Sequence, residues 1–324
     1  MYNFLIIIII LIVIKPVRPT LKIGHLSTAY HTNFLLMNDK KLEKKSKIKF
    51  QWRMFGTGPL MMDAFKKREL DIGYLGLPPA IIGIDNSVPI KCVAGGHIEG
   101  TLLISHTKYN SLNIPNEFSD ILEQFQNTTI GVPSKGSIHD VILNKYLTKF
   151  DLINTISIKN YRSPELIALD LKDGKIEAGV GTPSLAIFSS TLMNSKIIIP
   201  PRFFWPYNPS YGVFALEELI VRNPEVIELF LMYHKKASTL LRMNPKKAAS
   251  KISKNIKVIT KDYVEAVLKI SPRYCISLSK DYIDTTMEFM KILGELDYIK
   301  RNYDVREIFY KKLVENIHPE KEHY

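Results

Sequence analysis

Short apolar runs alternate along the first part of the chain with stretches of helical periodicity. The runs at residues 21–26, 48–54 and 70–75 predict buried strands, and residues 32–42 and 60–67 between them predict helices. This order of strand, helix, strand, helix, strand is typical of an α/β sheet whose strands are mostly parallel.

The same order restarts further along the chain. Strands are predicted at residues 129–132, 156–159 and 178–180, with helices at 138–147 and 166–171. The pattern therefore predicts a second α/β unit built like the first.

The last third of the chain has a different pattern. From about Pro224 the apolar spacing is helical, and Asn223-Pro224 and Asn244-Pro245 are typical starts of helices. A helical segment is therefore expected to follow the two α/β units.

The two α/β units are also similar to each other in detail. In the first unit Gly58-Pro59 begins a helix, and residues 71–81 are the last stretch of the unit. In the second unit Ser163-Pro164 begins the matching helix, and residues 177–187 are the last stretch. Each closing stretch contains an acidic residue, a short strand, a glycine and a proline. Two such lobes predict a cleft between them, in which a ligand lies where strand ends meet helix starts and which can close about a hinge.

Composition and charge narrow the class of protein. The 324 residues are 46% hydrophobic, which excludes a disordered chain, and their length suits about two domains. The net charge of +12 suits nucleic acid, an anionic membrane or an anionic ligand as a partner. Much of the excess positive charge lies in residues 40–49, which form either a solvated helix end or a surface for anionic polymers. Only Cys92 and Cys275 are present, which excludes a disulfide scaffold and an all-cysteine zinc site.

The first nineteen residues predict targeting outside the cytoplasm. Residues 4–14 are an unbroken apolar run, short for a membrane span and suited to the core of a signal peptide. Lys15 and Arg18 follow the run and no basic residue precedes it, so the alternatives are a signal peptide, an N-terminal anchor or a buried first strand. With no cysteine before Cys92, a lipid-modified cysteine is excluded in the sequence as it stands. We expect a periplasmic or extracellular protein, either free or anchored to the outer face of the cytoplasmic membrane.

Candidate ligand-binding residues lie in the loops between strands and helices. Ser134, Lys135, Gly136 and Ser137 precede a predicted helix, whose free N–H groups and positive dipole end favour an anion. The alternative is that Ser137 only caps that helix, with Asp140 completing a capping box. On the binding interpretation, Lys135→Ala is expected to weaken binding at least tenfold.

Further candidates offer hydroxyls, close backbone approach or aromatic rings at the expected cleft. Turn chemistry explains most of them equally well, and hinge packing explains the last two. They are Ser27, Thr28, Tyr30, Gly56, Thr57, Gly58, Gly76, Leu77, Pro78, Thr182, Trp205 and Tyr207.

The sequence lacks the common catalytic motifs. It has no Gly-x-Ser-x-Gly elbow, no Walker A loop and no His-Glu-x-x-His stretch, and Gly56-Thr57-Gly58 lacks the third glycine of a dinucleotide site. The basic run lacks the signature of an RNA-binding domain. Metal ligands could arise only if distant side chains met in the fold: His97 with Glu99, or His25, His31 and His106. We therefore expect no enzyme activity, no cofactor, no metal and no nucleic-acid partner.

Five stretches in order resemble one family, the bilobed solute-binding proteins of nitrate, sulfonate and taurine ABC importers, which also include thiamine-precursor binders. The resemblance covers nearly all of residues 20–315. The stretches are 21–26 (LKIGHL), 55–59 (FGTGP), 70–81 (LDIGYLGLPPAI), 93–95 (VAG) with 99–101 (EGT), and 130–140 (IGVPSKGSIHD).

The resemblance implies a two-lobe periplasmic-binding-protein fold of type II with C-terminal helices. Lobe 1 would comprise residues 20–104 and 204–324, and lobe 2 residues 105–203. It implies a monomer that captures a small anionic solute such as a sulfonate, taurine or nitrate and delivers it to an ABC permease with its ATPase, meeting the membrane surface through that partner or the N-terminal segment.

Two other functions are alternatives to the one that the resemblance implies. The first is a pyrimidine-precursor binding protein of the thiamine pathway or a related synthase, although the cysteine-rich motif of those enzymes is missing. The second is a sensor module of a transcription regulator, for which neither end of the chain has room for a DNA-binding segment.

Overall fold

A computed structural model describes residues 20–37, 39–113 and 117–324 of the chain. The predicted signal peptide or anchor at residues 1–19 lies outside the described residues. Among the helices in the described ranges, none is both long and apolar enough to cross a membrane.

The first sheet forms the centre of lobe 1. Its strand order is β2-β1-β3-β10-β4, where β1 and β2 run parallel and β10 lies antiparallel between β3 and β4. The register places Ile23 opposite both Trp52 and Ile72, so this fully buried residue of β1 has a paired strand on each side. The strands are β1 (Thr20–Leu26), β2 (Lys49–Phe55), β3 (Ile72–Leu75), β4 (Ile90–Ile98) and β10 (Pro209–Leu216).

The second sheet, in lobe 2, repeats this arrangement. Its order is β7-β6-β8-β5-β9, where β6 is parallel to β7 and β8, and β5 is antiparallel to its neighbours β8 and β9. Its strands are β5 (Leu102–His106), β6 (Thr129–Pro133), β7 (Ser157–Tyr161), β8 (Ala178–Gly181) and β9 (Ser195–Ile199). The predicted repetition of the strand and helix order is therefore confirmed.

Fifteen helices are present in the described ranges. Those from α10 onward supply much of the buried surface against the first sheet; for example, Phe230 packs on Tyr74 with ring centroids 6.3 Å apart. The helices are α1 (Asn33–Leu36), α2 (Lys40–Ser46), α3 (Gly58–Lys66), α4 (Leu77–Asp85), α5 (Phe118–Glu123), α6 (Ile138–Lys149), α7 (Pro164–Lys172), α8 (Pro183–Leu192), α9 (Glu217–Arg222), α10 (Pro224–Met243), α11 (Pro245–Asn255), α12 (Lys261–Ile270), α13 (Lys280–Glu295), α14 (Val305–Ile308) and α15 (Lys312–Ile317).

Helix starts follow the sequence signals closely, with one correction. Pro224 and Pro245 begin α10 and α11 as predicted. The single helix predicted at residues 32–42 is wrong: α1 ends at Leu36, and Asp39 starts α2 by accepting hydrogen bonds from the N–H groups of Lys41 and Leu42. An aspartate in that position satisfies N–H groups that have no partner within the helix, and so favours a new helix over continuation of the old one.

The chain passes between the lobes twice, and we call these segments the first crossing (residues 99–101) and the return crossing (residues 200–208). Because β5 pairs in the second sheet from Leu102, the predicted border between residues 104 and 105 falls inside that strand. One residue in each crossing, Glu99 (φ 58°) and Tyr207 (φ 59°), adopts the left-handed backbone conformation that is unusual for side chains larger than glycine.

Candidate functional site

A cavity of about 40 Å³ lies between the lobes where strands of both sheets end. Both lobes contribute to its wall, so a ligand there would be enclosed when the lobes meet. The lining residues are Leu26, Ser27, Thr28, Tyr30, His31, Gly56, Thr57, Gly58, Gly76, Pro79, Pro133, Ser137, Ile138, His139, Pro164, Thr182 and Ser210.

Five helices begin at this cavity. Lobe 1 contributes the starts of α3 at Thr57 and α4 at Gly76; lobe 2 contributes those of α6 at Ser137, α7 at Pro164 and α8 at Thr182. The first N–H groups of a helix have no acceptor within it, and the helix dipole places about half a positive charge there. The cavity wall therefore favours a ligand atom that accepts hydrogen bonds or carries negative charge.

The wall itself carries no charged side chain. None of the seventeen described lining residues is Lys, Arg, Asp or Glu, and the polar side chains are hydroxyls and imidazoles. The hydroxyl of Tyr30 and that of Ser210 lie 2.9 Å apart, joining a loop of lobe 1 to β10. Selectivity must therefore come from hydrogen-bond donors and helix dipoles.

His31 has a buried nitrogen without a partner. The residue is 2% exposed, and within the described part of the chain nothing hydrogen-bonds to its Nδ1. Burial lowers the pKa of this imidazole well below its usual value, helped by His97, His25 and His234, so the ring is neutral at pH 7. Leaving a buried polar atom unpaired costs about 1–3 kcal/mol, a cost that a ligand in the cavity could remove.

The second cavity imidazole, His139, belongs to α6 of lobe 2. Its Nδ1 lies 3.1 Å from the hydroxyl of Thr101 in the first crossing. Burial lowers the pKa of His139 to about 3, so it too is neutral near pH 7. The cavity therefore contains two neutral imidazoles, which can each donate or accept a hydrogen bond according to the tautomer.

Contacts across the cleft show that the lobes are closed on each other. The N–H of Ala29 donates to the hydroxyl of Ser184 at 3.2 Å, and the hydroxyls of Thr57 and Ser134 lie 3.0 Å apart. Each pair joins lobe 1 to lobe 2. These bonds must break when the cleft opens.

Gly56 marks the tightest approach between the lobes. A methyl group added at its Cα would lie 2.2 Å from the carbonyl oxygen of Arg162 in lobe 2. Because that neighbour is backbone, it cannot swing aside as a side-chain tip could. Glycine at this position is therefore needed for the lobes to close as they do.

A larger recess of about 540 Å³, which we call the vestibule, adjoins the cavity and shares Ser27, Thr28, Pro164 and Thr182 with it. Among its described lining residues only Glu165 is charged, and the carboxylate accepts a hydrogen bond from Ser27 at 3.2 Å. The rest of its wall is mostly apolar and comes from both lobes: Ala29, Phe34, Met54, Ser184, Leu185, Phe188, Thr191, Ile256, Val258, Ile259, Thr260 and Tyr263.

Comparison with known proteins identifies the family. The model of the NMT1-like family matches residues 15–257, about three quarters of the chain. The chain belongs to the NMT1-like family. A relative from Brucella abortus (strain 2308), whose name suggests a binding role and specifies no ligand, is 22% identical over 244 residues, which are 73% of this chain and 72% of the relative.

Solved structures share the fold of this NMT1-like chain. The ligand-binding component of an ABC-type import system from Staphylococcus aureus, solved with zinc bound, has a TM-score of 0.77 at 16% identity, covering 93% of this chain and all of that one. The alkanesulfonate-binding protein SsuA from Xanthomonas axonopodis pv. citri, bound to MOPS, has a TM-score of 0.73 at 14% identity, covering 90% and 98%. The periplasmic nitrate-binding protein NrtA from Synechocystis PCC 6803 has a TM-score of 0.73 at 10% identity, covering 92% and 88%.

These findings confirm the resemblance stated from the sequence and the two-lobe α/β fold with flanking helices. Nine of the sixteen candidate residues lie at the cavity of the NMT1-like chain. They are Ser27, Thr28, Tyr30, Gly56, Thr57, Gly58, Gly76, Ser137 and Thr182.

The structure places Lys135 and Gly136 away from the cavity. They line a separate recess with Tyr298, and the Lys135 ammonium lies 5.6 Å from the centre of that ring. The cause is the cap of α6: Ser137 accepts from the N–H of Asp140, and the Asp140 carboxylate accepts from the N–H of Gly136 at 2.9 Å. The predicted cap by Ser137 is confirmed, whereas the predicted capping box does not form, because the N–H of Ser137 donates to the carbonyl of Ser134 and not to Asp140. Lys135 lies outside the cavity wall.

Ser134, Leu77 and Pro78 also lie outside the cavity wall. Ser134 touches Thr57 across the cleft beside the cavity, whereas Leu77 and Pro78 are buried in the first turn of α4. At that helix start Gly76 and Pro79 are the residues that line the cavity.

Trp205 and Tyr207 lie in the return crossing and pack away from the cavity. The ring centroids of Trp205 and Phe289 lie 4.2 Å apart. The ammonium of Lys145 lies 3.4 Å from the centre of the Trp205 ring. Tyr207 lies beside Tyr324, with ring centroids 5.8 Å apart. The hinge-packing interpretation describes their surroundings.

Sequence reasoning did not select eight of the lining residues. Ile138 and His139 directly follow Ser137, so the helix start could have suggested them. Ser210 could not be found in this way, because it reaches the cavity only through the long-range pairing of β10. The eight are Leu26, His31, Pro79, Pro133, Ile138, His139, Pro164 and Ser210.

Proposed function

We propose that this NMT1-like protein is the extracytoplasmic substrate-binding component of an ABC-type importer, and that it carries out no chemistry on its ligand. The observation that carries the proposal is the closed cavity between two lobes, where five helix starts and the unpaired Nδ1 of His31 meet. The similar folds of proteins named for binding in ABC import support it. On this proposal the partners are a permease and its ATPase.

The ligand we propose has an oxyanion head group. The cavity wall has hydroxyls, neutral imidazoles and helix starts, all of which can donate hydrogen bonds to such a group. A cation would meet the positive ends of five helix dipoles with no described carboxylate in the cavity wall to balance them. Recognition by neutral donors replaces the role that the sequence interpretation gave to Lys135.

We further propose that the ligand is organic and zwitterionic, with a sulfonate head and an amino group, as in taurine. The apolar vestibule gives room for carbon atoms next to the cavity, which nitrate would not use. Glu165, the charged residue of the vestibule wall, would attract an ammonium group there. The head would then lie among the helix starts and the amino group near the mouth.

One feature favours a second candidate, a neutral pyrimidine precursor. The cavity has no described charged side chain, and its neutral imidazoles suit the donors and acceptors of a heterocycle. Aromatic residues Phe34, Phe188 and Tyr263 line the vestibule and could pack on such a ring.

Isothermal titration of the purified protein with taurine, ethanesulfonate, nitrate and an aminopyrimidine tests these proposals. We expect taurine to bind more tightly than ethanesulfonate, and nitrate to bind weakly. The variant Glu165→Gln should lose up to about fivefold in affinity for taurine and little for ethanesulfonate, which has no ammonium. Binding of the aminopyrimidine alone would favour the second candidate, and binding of none of the four would remove support for this ligand class.

A further inference from the structure

A cluster of potential metal ligands lies outside the cavity wall, in the segment of residues 318–324. One ligand atom each from His318, Glu320 and His323 come within 4.8 Å of one another. These residues carry no metal-binding signal in the sequence, because their spacing matches no common metal motif. Their proximity depends on how the segment folds back on lobe 1.

The geometry around His318 resembles that of a metal-binding histidine. The side chain is 2% exposed, and its Nε2 lies 3.0 Å from the sulfur of Cys275. On the other side of the ring, Nδ1 lies 2.8 Å from Oε1 of Glu320, yet among the described residues it has no well-aligned hydrogen-bond partner. Histidines that bind metals usually donate a hydrogen bond from the other nitrogen, which fixes the ring.

From these contacts we propose that Nδ1 of His318, the carboxylate of Glu320 and a ring nitrogen of His323 bind a divalent transition metal of the Zn²⁺ type. Two imidazoles and one carboxylate form a common ligand set for Zn²⁺, with a fourth position left for water. The Nε2–H of His318 would donate to Cys275, which serves as the outer partner that orients the ring.

Glu320 must serve both the metal and a neighbouring lysine. Its Oε1 lies 2.5 Å from the ammonium of Lys235, which also donates to the carbonyl of Ile317 at 2.9 Å. A carboxylate has two oxygens, so Oε2 can bind the metal while Oε1 remains paired with the Lys235 ammonium. The lysine then helps to orient the carboxylate.

A metal here would fasten the segment to the hinge region. The Tyr324 hydroxyl lies 2.9 Å from the carbonyl oxygens of both Cys275 and Ser277, so its one hydrogen can be donated to either or shared between them. Its ring lies against Tyr207 of the return crossing. Binding at His323 would hold the backbone next to Tyr324 in place. On this proposal the metal holds the segment in place, and its ligands are not part of the wall of the cavity of the proposed importer function.

Titration of the chelator-treated full chain with ZnCl₂ tests the proposal, with Co²⁺ as a coloured probe of the ligand set. We expect one tight Zn²⁺ per chain and a visible Co²⁺ absorption of tetrahedral intensity that Zn²⁺ abolishes. His323→Ala and Glu320→Gln alter exposed residues and should each lower Zn²⁺ affinity at least about tenfold. His106→Ala removes a histidine outside the cluster and should leave it unchanged.

Three results would overturn the proposal. They are no Zn²⁺ binding at micromolar concentrations, unchanged affinity in His323→Ala, or an equal loss in His106→Ala. Circular dichroism of each variant shows whether it is folded. None of these measurements needs the cleft ligand, so failure here would leave the importer proposal standing, and failure of taurine binding would leave the metal site standing.

Discussion

The N–H of Tyr207 donates to Oε1 of Glu99 at 3.0 Å, and this bond ties the return crossing to the first crossing. The N–H of Glu99 in turn donates to the carbonyl of Asn208 at 2.7 Å. Arg273 completes the arrangement through an ion pair of 2.6 Å with the same Oε1. The two segments about which the lobes must hinge are therefore held as one unit.

The hinge unit leads to a prediction for Glu99. Glu99→Ala removes the acceptor for Tyr207 and leaves that partly buried N–H unpaired, so the free energy of unfolding should fall by about 1 kcal/mol. Glu99→Gln keeps an acceptor oxygen and should lose less. Chemical denaturation of the three proteins measures this, and an equal loss in both variants would contradict a role for the Tyr207 bond.

Gly56 predicts a variant that cannot close. In Gly56→Ala the new methyl group meets the carbonyl oxygen of Arg162, so the affinity for the cleft ligand should fall at least about tenfold. Isothermal titration measures the affinity, and small-angle scattering with ligand should show no compaction.

A matched control exists in α13. Gly294 has nothing within 4 Å of an added methyl group, and Gly294→Ala in a helix should keep the affinity and raise stability by up to about 1 kcal/mol. If both alanine variants bound ligand equally well, the close approach at Gly56 would not limit closure.

His31 predicts opposite changes in binding and stability. His31→Leu removes the unpaired Nδ1, so stability should stay level or rise by about 1 kcal/mol, while ligand affinity falls about tenfold. Lys135→Ala should keep the affinity, because the structure places that lysine outside the cavity wall. Titration and thermal unfolding of both variants check this, and weaker binding only in Lys135→Ala would restore the sequence interpretation.

Buried histidines predict a loss of stability in mild acid. Burial lowers the pKa of His97 and His139 to about 3 and of His234 to about 4, and also lowers that of His31. Below a pH of about 6.5, the pKa of histidine in the unfolded chain, the unfolded chain binds protons that the folded chain does not. The free energy of unfolding therefore falls as the pH is lowered, until the pKa values of the folded state are reached.

The expected slope is about 1.4 kcal/mol per histidine for each pH unit below about 6. Chemical denaturation at several pH values between 5 and 7.5 measures it. A free energy of unfolding that stayed constant down to pH 5 would show that these rings are protonated in the folded protein.

Much of the fold could be predicted from local patterns. Apolar runs marked the parallel strands, and Pro224 and Pro245 marked helix starts, because both signals act over a few residues. The position of β10 between β3 and β4 could not be predicted, since it depends on pairing between residues more than a hundred positions apart. The predicted border of lobe 2 falls inside β5, because the sheet to which that strand belongs is set by its pairing with the distant strands β8 and β9.

The site was predictable in its backbone and less so in its side chains. Turns with glycine or proline, such as those at Gly76 and at Thr182-Pro183, indicated where helices start, and those starts do lie at the cavity. Whether a side chain points inward depends on local capping: the bond from Gly136 to Asp140 turns Lys135 outward, and no charge count reveals that. The sequence named His31 only as a remote metal candidate, and its place in the cavity wall could not be predicted because it depends on packing against the distant Tyr211.

The strand orders of the two sheets have a consequence for how the chain folds. The second sheet uses only residues 102–199, an unbroken stretch, whereas the first remains without an inner strand until β10 joins β3 and β4. During synthesis the inserted lobe therefore has its complete sheet first. β3 and β4 have no strand between them until more than a hundred further residues have been synthesised. Insertion of β10 between them is therefore the slow, late step in folding of the first sheet.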